Sequence, residues 1–148
     1  MPTKLIEIRG EYSGRQYYVM PQKDLIRNGW VACKTYNLEP AVILEERSDL
    51  LIYNYLTLTQ WFPTNSFLSI GLYAKPDEEP QWMDGSSYNY TKVVNDPLNN
   101  TTSYYGMFIN APSLPAGSWM AVAENTEGLG HLCQYRYPEE KDEKILSL

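Results

Sequence analysis

The segment between residues 67 and 91 constrains the fold most, because short apolar runs alternate there with strong turn signals. The run at 69–73 contains a glycine, whose missing side chain lets another backbone or a ring approach a strand that is buried on at least one face. A charged turn follows, and the strong turn dipeptide Asp84-Gly85 ends the next short run. The polar, tyrosine-rich segment 86–91 has high β propensity. The pattern predicts three consecutive strands in the middle of an antiparallel sheet.

The length and composition indicate one globular domain. The chain has 148 residues, of which 43% are hydrophobic, enough for a proper core. We expect a single domain over residues 1–148, with its core at about 17–137 and a loosely attached tail at 138–148. Aromatic residues make up 14% and include 13 tyrosines, a content that favours extended structure and surfaces used for recognition.

The charge and hydropathy patterns exclude several classes of partner. The net charge is −6 and no basic cluster occurs, which argues against nucleic acid as a partner. No stretch approaches the ~20 apolar residues of a membrane span. The first residues lack the apolar region of a signal peptide. On composition, the chain is either cytosolic or the mature form of an exported protein.

Two helices are predicted in the first half of the chain. The first covers residues 23–36, where apolar side chains recur at helical spacing. Its apolar stripe consists of Ile26, Trp30, Cys33 and Tyr36. The second begins at Ser48-Asp49, which supplies the N-cap, and fades before Pro63. Its apolar side is formed by Leu51, Tyr55 and Leu58.

Strands account for most of the remaining pattern. They are predicted at residues 5–10 (an edge strand), 16–20, 41–44 (buried), 105–109, 119–123 and 132–135. Residues 94–103, rich in Asn, Asp and Pro, are predicted to form a long irregular loop. Strands, two early helices and a further series of strands define an α+β fold.

Catalytic chemistry has no support in the sequence. No nucleophile elbow, metalloprotease motif, paired-cysteine redox motif or glycine-rich phosphate loop occurs. The single histidine, His131, has no partner motif, so we interpret it as structural or exposed rather than catalytic. Trp82 and Trp119 lie inside apolar strands, where core positions are more common than platforms for sugar rings. We therefore predict that the chain is not an enzyme.

Several asparagine and aspartate side chains are candidates for ligand binding or modification. The oxygens of Asp84, Asp96, Asn99 and Asn100 are of the type that binds calcium, although ordinary turn residues explain this composition equally well. Asn89, Asn99 and Asn100 each begin an N-x-S/T sequon. These sequons favour an exported glycoprotein with sugar on surface loops.

The two cysteines leave two interpretations open. Cys33 and Cys133 lie 100 positions apart (133 − 33). A disulfide between them would constrain the unfolded chain by about 4.7 kcal/mol. Two free, buried thiols are equally compatible with the count.

Taken in order, these segments resemble a C-type lectin-like domain, and secreted invertebrate members in particular. Residues 69–72 match the family's WIGL signature with serine in place of tryptophan, and residues 82–86 look like its W-x-D-G-S turn. The resemblance covers about residues 17–137. It also rests on 30–33, Leu38, 41–43, the helix at 48–56, 90–91, Trp119 and 132–135.

The resemblance implies a fold, a disulfide and a cellular setting. The family fold is a double-loop α+β domain in which two helices flank an antiparallel sheet and a long loop carries the binding site. In such domains a cysteine that ends the first helix bonds one in the last strand, and Cys33 and Cys133 occupy those positions. The resemblance therefore implies this disulfide and an oxidising, extracellular location.

This sequence departs from the family at the second disulfide and at the calcium site. Tyr104 or Tyr105, and Glu124, stand where the second pair of cysteines belongs. Calcium-dependent members carry Glu-Pro-Asn or Gln-Pro-Asp in the long loop and Trp-Asn-Asp in a later strand.

The corresponding segments here are poor in oxygen ligands. They read Asp96-Pro97-Leu98 and Trp119-Met120-Ala121. Asp96 remains the single candidate metal ligand, whereas calcium needs 6–8 oxygen ligands. We predict no cofactor, with calcium not favoured.

Three functions follow from these observations. The first is a secreted recognition domain that binds a macromolecule, most plausibly a protein, through its long-loop face without calcium. The contact residues on this face would be Tyr88, Tyr90, Asp96, Asn99, Asn100, Tyr104 and Tyr105. The alternatives are a carbohydrate-binding lectin, with a rebuilt calcium site or with rings that stack on sugar, and a structural or display scaffold. A homo-oligomer and a hetero-oligomer both remain compatible with the sequence.

Overall fold

The computed structural model describes residues 4–138, and it has the predicted α+β architecture. The strands are β1 (Ile6–Tyr12), β2 (Arg15–Met20), β3 (Asp24–Leu25), β4 (Glu39–Pro40), β5 (Ser66–Ala74), β6 (Gln81–Trp82), β7 (Ser103–Ile109), β8 (Trp119–Ala123), β9 (Glu127–Gly128) and β10 (Gly130–Arg136). The helices are α1 (Gly29–Lys34) and α2 (Glu46–Thr59), and a 3-10 turn, Ile26–Asn28, precedes α1. Most of the predicted tail, residues 139–148, lies outside the described residues.

One sheet organises the described residues. Its main path runs β1-β2-β10-β5-β7-β8, with β4 added to β10 and β6 added to β5. Neighbouring strands are antiparallel except β10 and β5, which are parallel. Strand β1 lies at one edge, as predicted for residues 5–10. Within residues 4–138, neither helix combines the length and apolar character needed to cross a bilayer.

Strand β5 is buried along almost its whole length and contains the close approach that the sequence predicts. The backbone N–H of Gly71 donates to the carbonyl of Ala41 at 2.7 Å. A Cβ atom at position 71 would lie 2.8 Å from that oxygen, a distance that side-chain carbons essentially never show. Glycine at this position therefore lets residues 40–41 lie directly against the central strand.

Residues 41–43 are fully buried, but the prediction of a strand at 41–44 is wrong. The backbone N–H and carbonyl of Val42 form hydrogen bonds with side chains and not with a neighbouring strand. Its N–H donates to Gln134 Oε1 at 2.8 Å, and its carbonyl accepts the Tyr17 hydroxyl at 2.6 Å. Because Gln134 and Tyr17 satisfy this backbone, no partner strand is needed at this depth.

The first helix is much shorter than the predicted range of 23–36. Strand β3 occupies the start of that range and pairs with β9, so the chain is extended before the helix begins. Ile26 and Cys33 are buried as the stripe predicts, whereas Trp30 is 46% exposed. The tertiary pairing of β3 with β9, far along the chain, overrides the local helical pattern.

Helix α2 begins at Glu46, so Ser48 and Asp49 lie within its first turn and are not an N-cap. The side facing the core is formed by Asp49, Ile52 and Leu56. Leu51 and Tyr55 pack against the core only in part, and Leu58 is exposed. The apolar face is therefore rotated from the predicted one, because a buried carboxylate occupies part of it.

The prediction of a strand at 86–91 is also wrong, because this segment is irregular. Side-chain hydrogen bonds organise it instead. Asp84 Oδ1 accepts the Ser86 N–H at 2.8 Å, which closes the predicted Asp84-Gly85 turn, and the hydroxyls of Tyr88 and Thr91 lie 2.6 Å apart. The strands predicted at 16–20, 105–109, 119–123 and 132–135 are confirmed. The irregular loop predicted at 94–103 is confirmed except for Ser103, which begins β7.

The disulfide implied by the resemblance is present. Cys33, near the end of α1, is bonded to Cys133 of β10, with their Cα atoms 5.6 Å apart. Both residues are fully buried. The bond joins the short first helix to the sheet and closes a covalent loop that contains most of the residues of the domain.

Candidate functional site

The candidate site is the long-loop surface, which we define as residues 86–102 between β6 and β7. Backbone hydrogen bonds hold this loop along the outer edge of β8. The Trp119 N–H donates to the Lys92 carbonyl at 3.0 Å, and the Val94 N–H donates to the Trp119 carbonyl at 3.1 Å. The loop therefore covers a strand edge that would otherwise be open for pairing.

Asn95 extends this attachment with its side chain. Its Oδ1 accepts the Ala121 N–H at 2.8 Å, and its Nδ2 donates to the Ala121 carbonyl at 3.1 Å. Further along, the Leu98 N–H donates to Ser103 Oγ at 2.7 Å. Two points of the irregular loop are thus held to the adjacent strands by side-chain hydrogen bonds.

A buried carboxylate on α2 anchors the start of the loop. Asp49 is 1% exposed, and its Oδ2 accepts the Tyr90 hydroxyl at 2.7 Å. Lys92 Nζ lies 3.9 Å from the same oxygen and donates to the Ala116 carbonyl at 3.0 Å. Burial raises the pKa of Asp49, although Tyr90 and Lys92 oppose that shift. Burial and the contact with Asp49 raise the pKa of Tyr90.

We expect Asp49→Asn to alter how stability depends on pH. Burial raises the folded-state pKa of Asp49 above 3.8, so the folded state binds this proton more tightly than the unfolded chain does. The contribution of Asp49 to stability therefore falls as pH rises from 3.8 through the raised pKa. Asparagine keeps the shape but does not titrate.

Urea unfolding of both proteins between about pH 3 and 7 measures this effect. The unfolding free energy of the wild type minus that of Asp49→Asn should decrease with pH. A difference that is flat or increases with pH would contradict the assigned role of Asp49.

The predicted contact residues differ in how exposed they are. Asp96, Asn99 and Asn100 are exposed, Tyr88 and Tyr104 are half-buried, and Tyr90 is half-buried with its hydroxyl bonded to Asp49. The sequon residue Asn89 is exposed as well.

Tyr105 is the exception among the predicted contact residues. It is fully buried, and burial raises its pKa to about 12. It belongs to the core of the sheet and is unable to contact a partner, because the alternation along β7 turns its side chain inward.

The residues at the family's calcium positions do not fit calcium. Leu98, Met120 and Ala121 carry no side-chain oxygen. The nearby oxygen of Asn95 is already bonded to the backbone of Ala121. Among residues 4–138, no group of three or more His, Cys, Asp or Glu side chains could hold a metal ion. Asp96 is exposed and would have to bind a calcium ion without further acidic side chains beside it.

His131 lies in a buried network that no local sequence motif indicates. Its Nδ1 is 2.5 Å from Ser69 Oγ, and its Nε2 is 2.9 Å from Asp24 Oδ2. Although burial opposes it, hydrogen bonds from Asn28, His131 and the Leu25 N–H hold the pKa of Asp24 below its usual value.

Hydroxyl, imidazole and carboxylate are the groups of a catalytic triad, but both Ser69 and His131 are buried. A Cβ atom at Gly29 would lie 3.1 Å from Ser69 Oγ, so α1 covers the hydroxyl. The network thus lacks the substrate access that a nucleophile needs. It joins β3, β5 and β10, and Ser69 fills the position of the family's tryptophan.

Comparison with known proteins identifies the fold. No model of a known protein family matches the sequence, and no curated protein matches it. Solved structures of C-type lectin-like domains do match. CEL-IV is 18% identical, with 88% of this chain and 92% of CEL-IV covered and a TM-score of 0.71.

Two further similar structures are described as calcium-independent. The C-type lectin SPL-2 from Saxidomus purpuratus is 16% identical, with 84% of this chain and 88% of SPL-2 covered and a TM-score of 0.66. A calcium-independent type II antifreeze protein is 16% identical, with 86% of this chain and 90% of that chain covered and a TM-score of 0.66. At these identities the similarity establishes the fold alone, and the chain therefore has the C-type lectin-like fold.

Proposed function

We propose that this chain is an extracellular, calcium-independent recognition domain that binds a protein partner through the long-loop surface and catalyses no reaction. The observation that carries the proposal is the pair of hydrogen bonds between the side chain of Asn95 and the backbone of Ala121. In the calcium-dependent lectins that this sequence resembles, side chains of the long loop and of a later strand would ligate calcium, whereas here the amide of Asn95 joins the loop to Ala121 of β8. Hydrogen bonds within the protein replace the metal as the support of the loop.

This support favours a preorganised binding surface. The loop is attached to β8 through Trp119 and Ala121 and to α2 through Asp49. A loop that is already ordered loses less conformational entropy when a partner binds, so more of the contact energy appears as affinity.

The chemistry of the exposed residues suits a protein ligand. Half-buried Tyr88 and Tyr104, exposed Val94, and exposed Asn99 and Asn100 combine aromatic, apolar and amide contacts. Tyrosine and asparagine are the residues that antibody loops use for protein recognition. The buried disulfide and the exposed sequon asparagines support an extracellular location.

A glycan is the second candidate ligand, because SPL-2 combines this fold with the description of a calcium-independent C-type lectin. A sugar bound at the long-loop surface would have to be held by hydrogen bonds from groups such as Asn99 and Asn100, without the metal that orders two hydroxyls at once. We therefore expect a glycan to bind this surface more weakly and less selectively than a protein partner would.

Affinity capture from extracellular fluid in the presence of EDTA tests the proposal. We expect the immobilised wild-type chain to retain a protein, and the double variant Tyr88→Ala, Tyr104→Ala to lose it by about tenfold or more in affinity. Trp61→Ala, an exposed aromatic on another surface, is the matched control and should retain the partner.

Each other outcome has a definite meaning. Retention that requires calcium, or that persists in the double variant, would contradict the proposed site. Binding to a glycan array in EDTA, with no protein retained, would establish the second candidate. No ligand in either assay would leave the scaffold role.

A further inference from the structure

A cleft lined by residues next to the bonded cysteines in sequence, with no residue of the long-loop surface, has the features of a binding site. It has a volume of about 290 Å³, at the low end for small-molecule pockets. Its walls come from α1 and the turn after it, and from the end of β10. The lining residues that matter are Trp30, Lys34, Asn37, Glu39, Tyr135 and Arg136.

The cleft has two aromatic walls that are open to solvent. Trp30 is 46% exposed and Tyr135 is 44% exposed. Tyr135 is also held edge-on to Tyr137 at 5.0 Å between ring centroids, and Tyr137 is exposed. Aromatic surface that is left in water beside a concave site marks a place where a ligand can be desolvated.

The free polar groups in the cleft are mainly cationic donors. Lys34 Nζ lies 6.0 Å from the centroid of the Trp30 ring, and no carboxylate among residues 4–138 pairs with it. Arg136 is paired with Asp84 at 3.5 Å and with Glu39 at 3.8 Å, both longer than the 2.7–2.9 Å of a charge-assisted hydrogen bond. The guanidinium is therefore positioned by two carboxylates, while its N–H donors remain available.

Glu39 has a supporting role here. Its Oε1 accepts the Gln134 amide at 2.7 Å, and Gln134 in turn accepts the Val42 N–H. Asp84 is also paired with Arg15 at 3.7 Å, so the cluster of Lys34, Arg136, Arg15, Glu39 and Asp84 carries a net charge of +1 (3 − 2), although the whole chain carries −6. Salt screens the distant acidic residues over about 8 Å, so the local cations determine which charge is attracted.

We propose that this cleft binds an acidic saccharide, a sugar ring that carries a carboxylate or sulfate, without calcium. The apolar face of the ring would lie on Trp30 and Tyr135, and its anionic group would accept hydrogen bonds from Lys34 and Arg136. The amide of Asn37 supplies a donor and an acceptor for hydroxyls. The volume suits one or two sugar rings. We favour a saccharide over an acidic peptide, because an Asp or Glu side chain has no ring face that could lie on the aromatic walls.

Calorimetric titration in EDTA with a heparin-derived tetrasaccharide tests the proposal, with neutral chitotetraose as the probe of equal ring number. We expect the acidic probe alone to bind. Its affinity should fall about tenfold in Arg136→Gln and in Lys34→Gln, which remove a charged donor and keep a polar side chain. Trp30→Ala should also lower it about tenfold, whereas Trp61→Ala should leave it unchanged.

Control measurements make the outcome decisive. Lys34→Gln and the wild type should share the same thermal midpoint, because Lys34 is exposed and no carboxylate among residues 4–138 pairs with it. The midpoint of Arg136→Gln is measured separately, because this variant also loses the ion pairs with Asp84 and Glu39. Tyr88→Ala, on the long-loop surface, should bind the acidic probe as well as the wild type, so loss of the proposed protein ligand would not affect this result. The proposal would be overturned if chitotetraose bound equally well, or if the cation variants kept the wild-type affinity for the acidic probe. It would also be overturned if no binding occurred up to about 10 mM probe, or if a sulfotyrosine peptide bound more tightly than the saccharide.

Discussion

The double variant Cys33→Ala, Cys133→Ala should lose about 2–5 kcal/mol of unfolding free energy. The disulfide closes a loop of 100 positions, and both sulfur atoms are fully buried between α1 and β10. Helix α1 has only six residues, too few to be stable by itself, so the covalent bond supplies much of its attachment to the sheet. Urea unfolding of the oxidised wild type and the variant measures the difference.

Reduced wild-type protein is the matched control for this variant. It keeps both side chains and lacks only the bond, so it should resemble the double variant more than the oxidised protein. Oxidised wild type and double variant with equal midpoints and equal urea slopes would contradict the role of the disulfide, because the slope reports whether the unfolded chain became more extended.

Trp119→Ala should destabilise the domain by about 3–5 kcal/mol, whereas Trp61→Ala should change the unfolding free energy by less than about 0.5 kcal/mol. Trp119 is fully buried and packs edge-on against Trp82 at 5.5 Å and Tyr90 at 5.8 Å between ring centroids. Trp61 is 83% exposed. The same chemical change thus tests burial at two positions of one chain.

Trp119→Ala should also loosen the long loop, because the side chain of Trp119 packs against Tyr90 and its backbone pairs with residues 92 and 94. Amide hydrogen exchange should therefore accelerate at Val94 and Ala121, whose N–H groups are hydrogen-bonded. A stability loss below about 1 kcal/mol, or unchanged exchange at both amides, would show that Trp119 is not the packing centre of this region.

The features that the sequence predicts well are those determined by local pattern or by a residue with one physical use. Strand β5 follows from its apolar run, and Gly71 follows from the close approach that only glycine permits. The Asp84-Gly85 turn is likewise a local property. The pairing of Cys33 with Cys133 came from family resemblance, since two cysteines alone leave a disulfide and free thiols open.

The predictions that failed depend on partners distant in sequence. Residues 41–43 are buried without a strand because Gln134, about 90 positions away, satisfies their backbone. The first helix is short because its predicted start pairs with residues 127–128. The buried face of α2 differs from the predicted one because Tyr90, 41 positions later, donates a hydrogen bond to the buried carboxylate of Asp49.

The long loop that we propose as the site is predictable from the sequence, whereas the contacts that hold it are not. The irregular loop is evident from its Asn, Asp and Pro content, and the lack of side-chain oxygens at Leu98, Met120 and Ala121 is evident as well. The burial of Tyr105 is not, because the alternation that turns it inward depends on the register of β7 against β5 and β8. The attachment of the loop by Asn95 is a tertiary contact that no local motif indicates.

Thermal unfolding in EDTA and in increasing calcium tests whether the long loop is held without a metal ion, as we propose. An ion that binds only the folded state stabilises it by about 2.7 kcal/mol at 100 times its dissociation constant, so even a weak site would raise the midpoint at millimolar calcium. We predict the same midpoint in EDTA and at every calcium concentration. A midpoint that rises progressively with calcium, and that no longer rises in Asp96→Ala, would contradict the account.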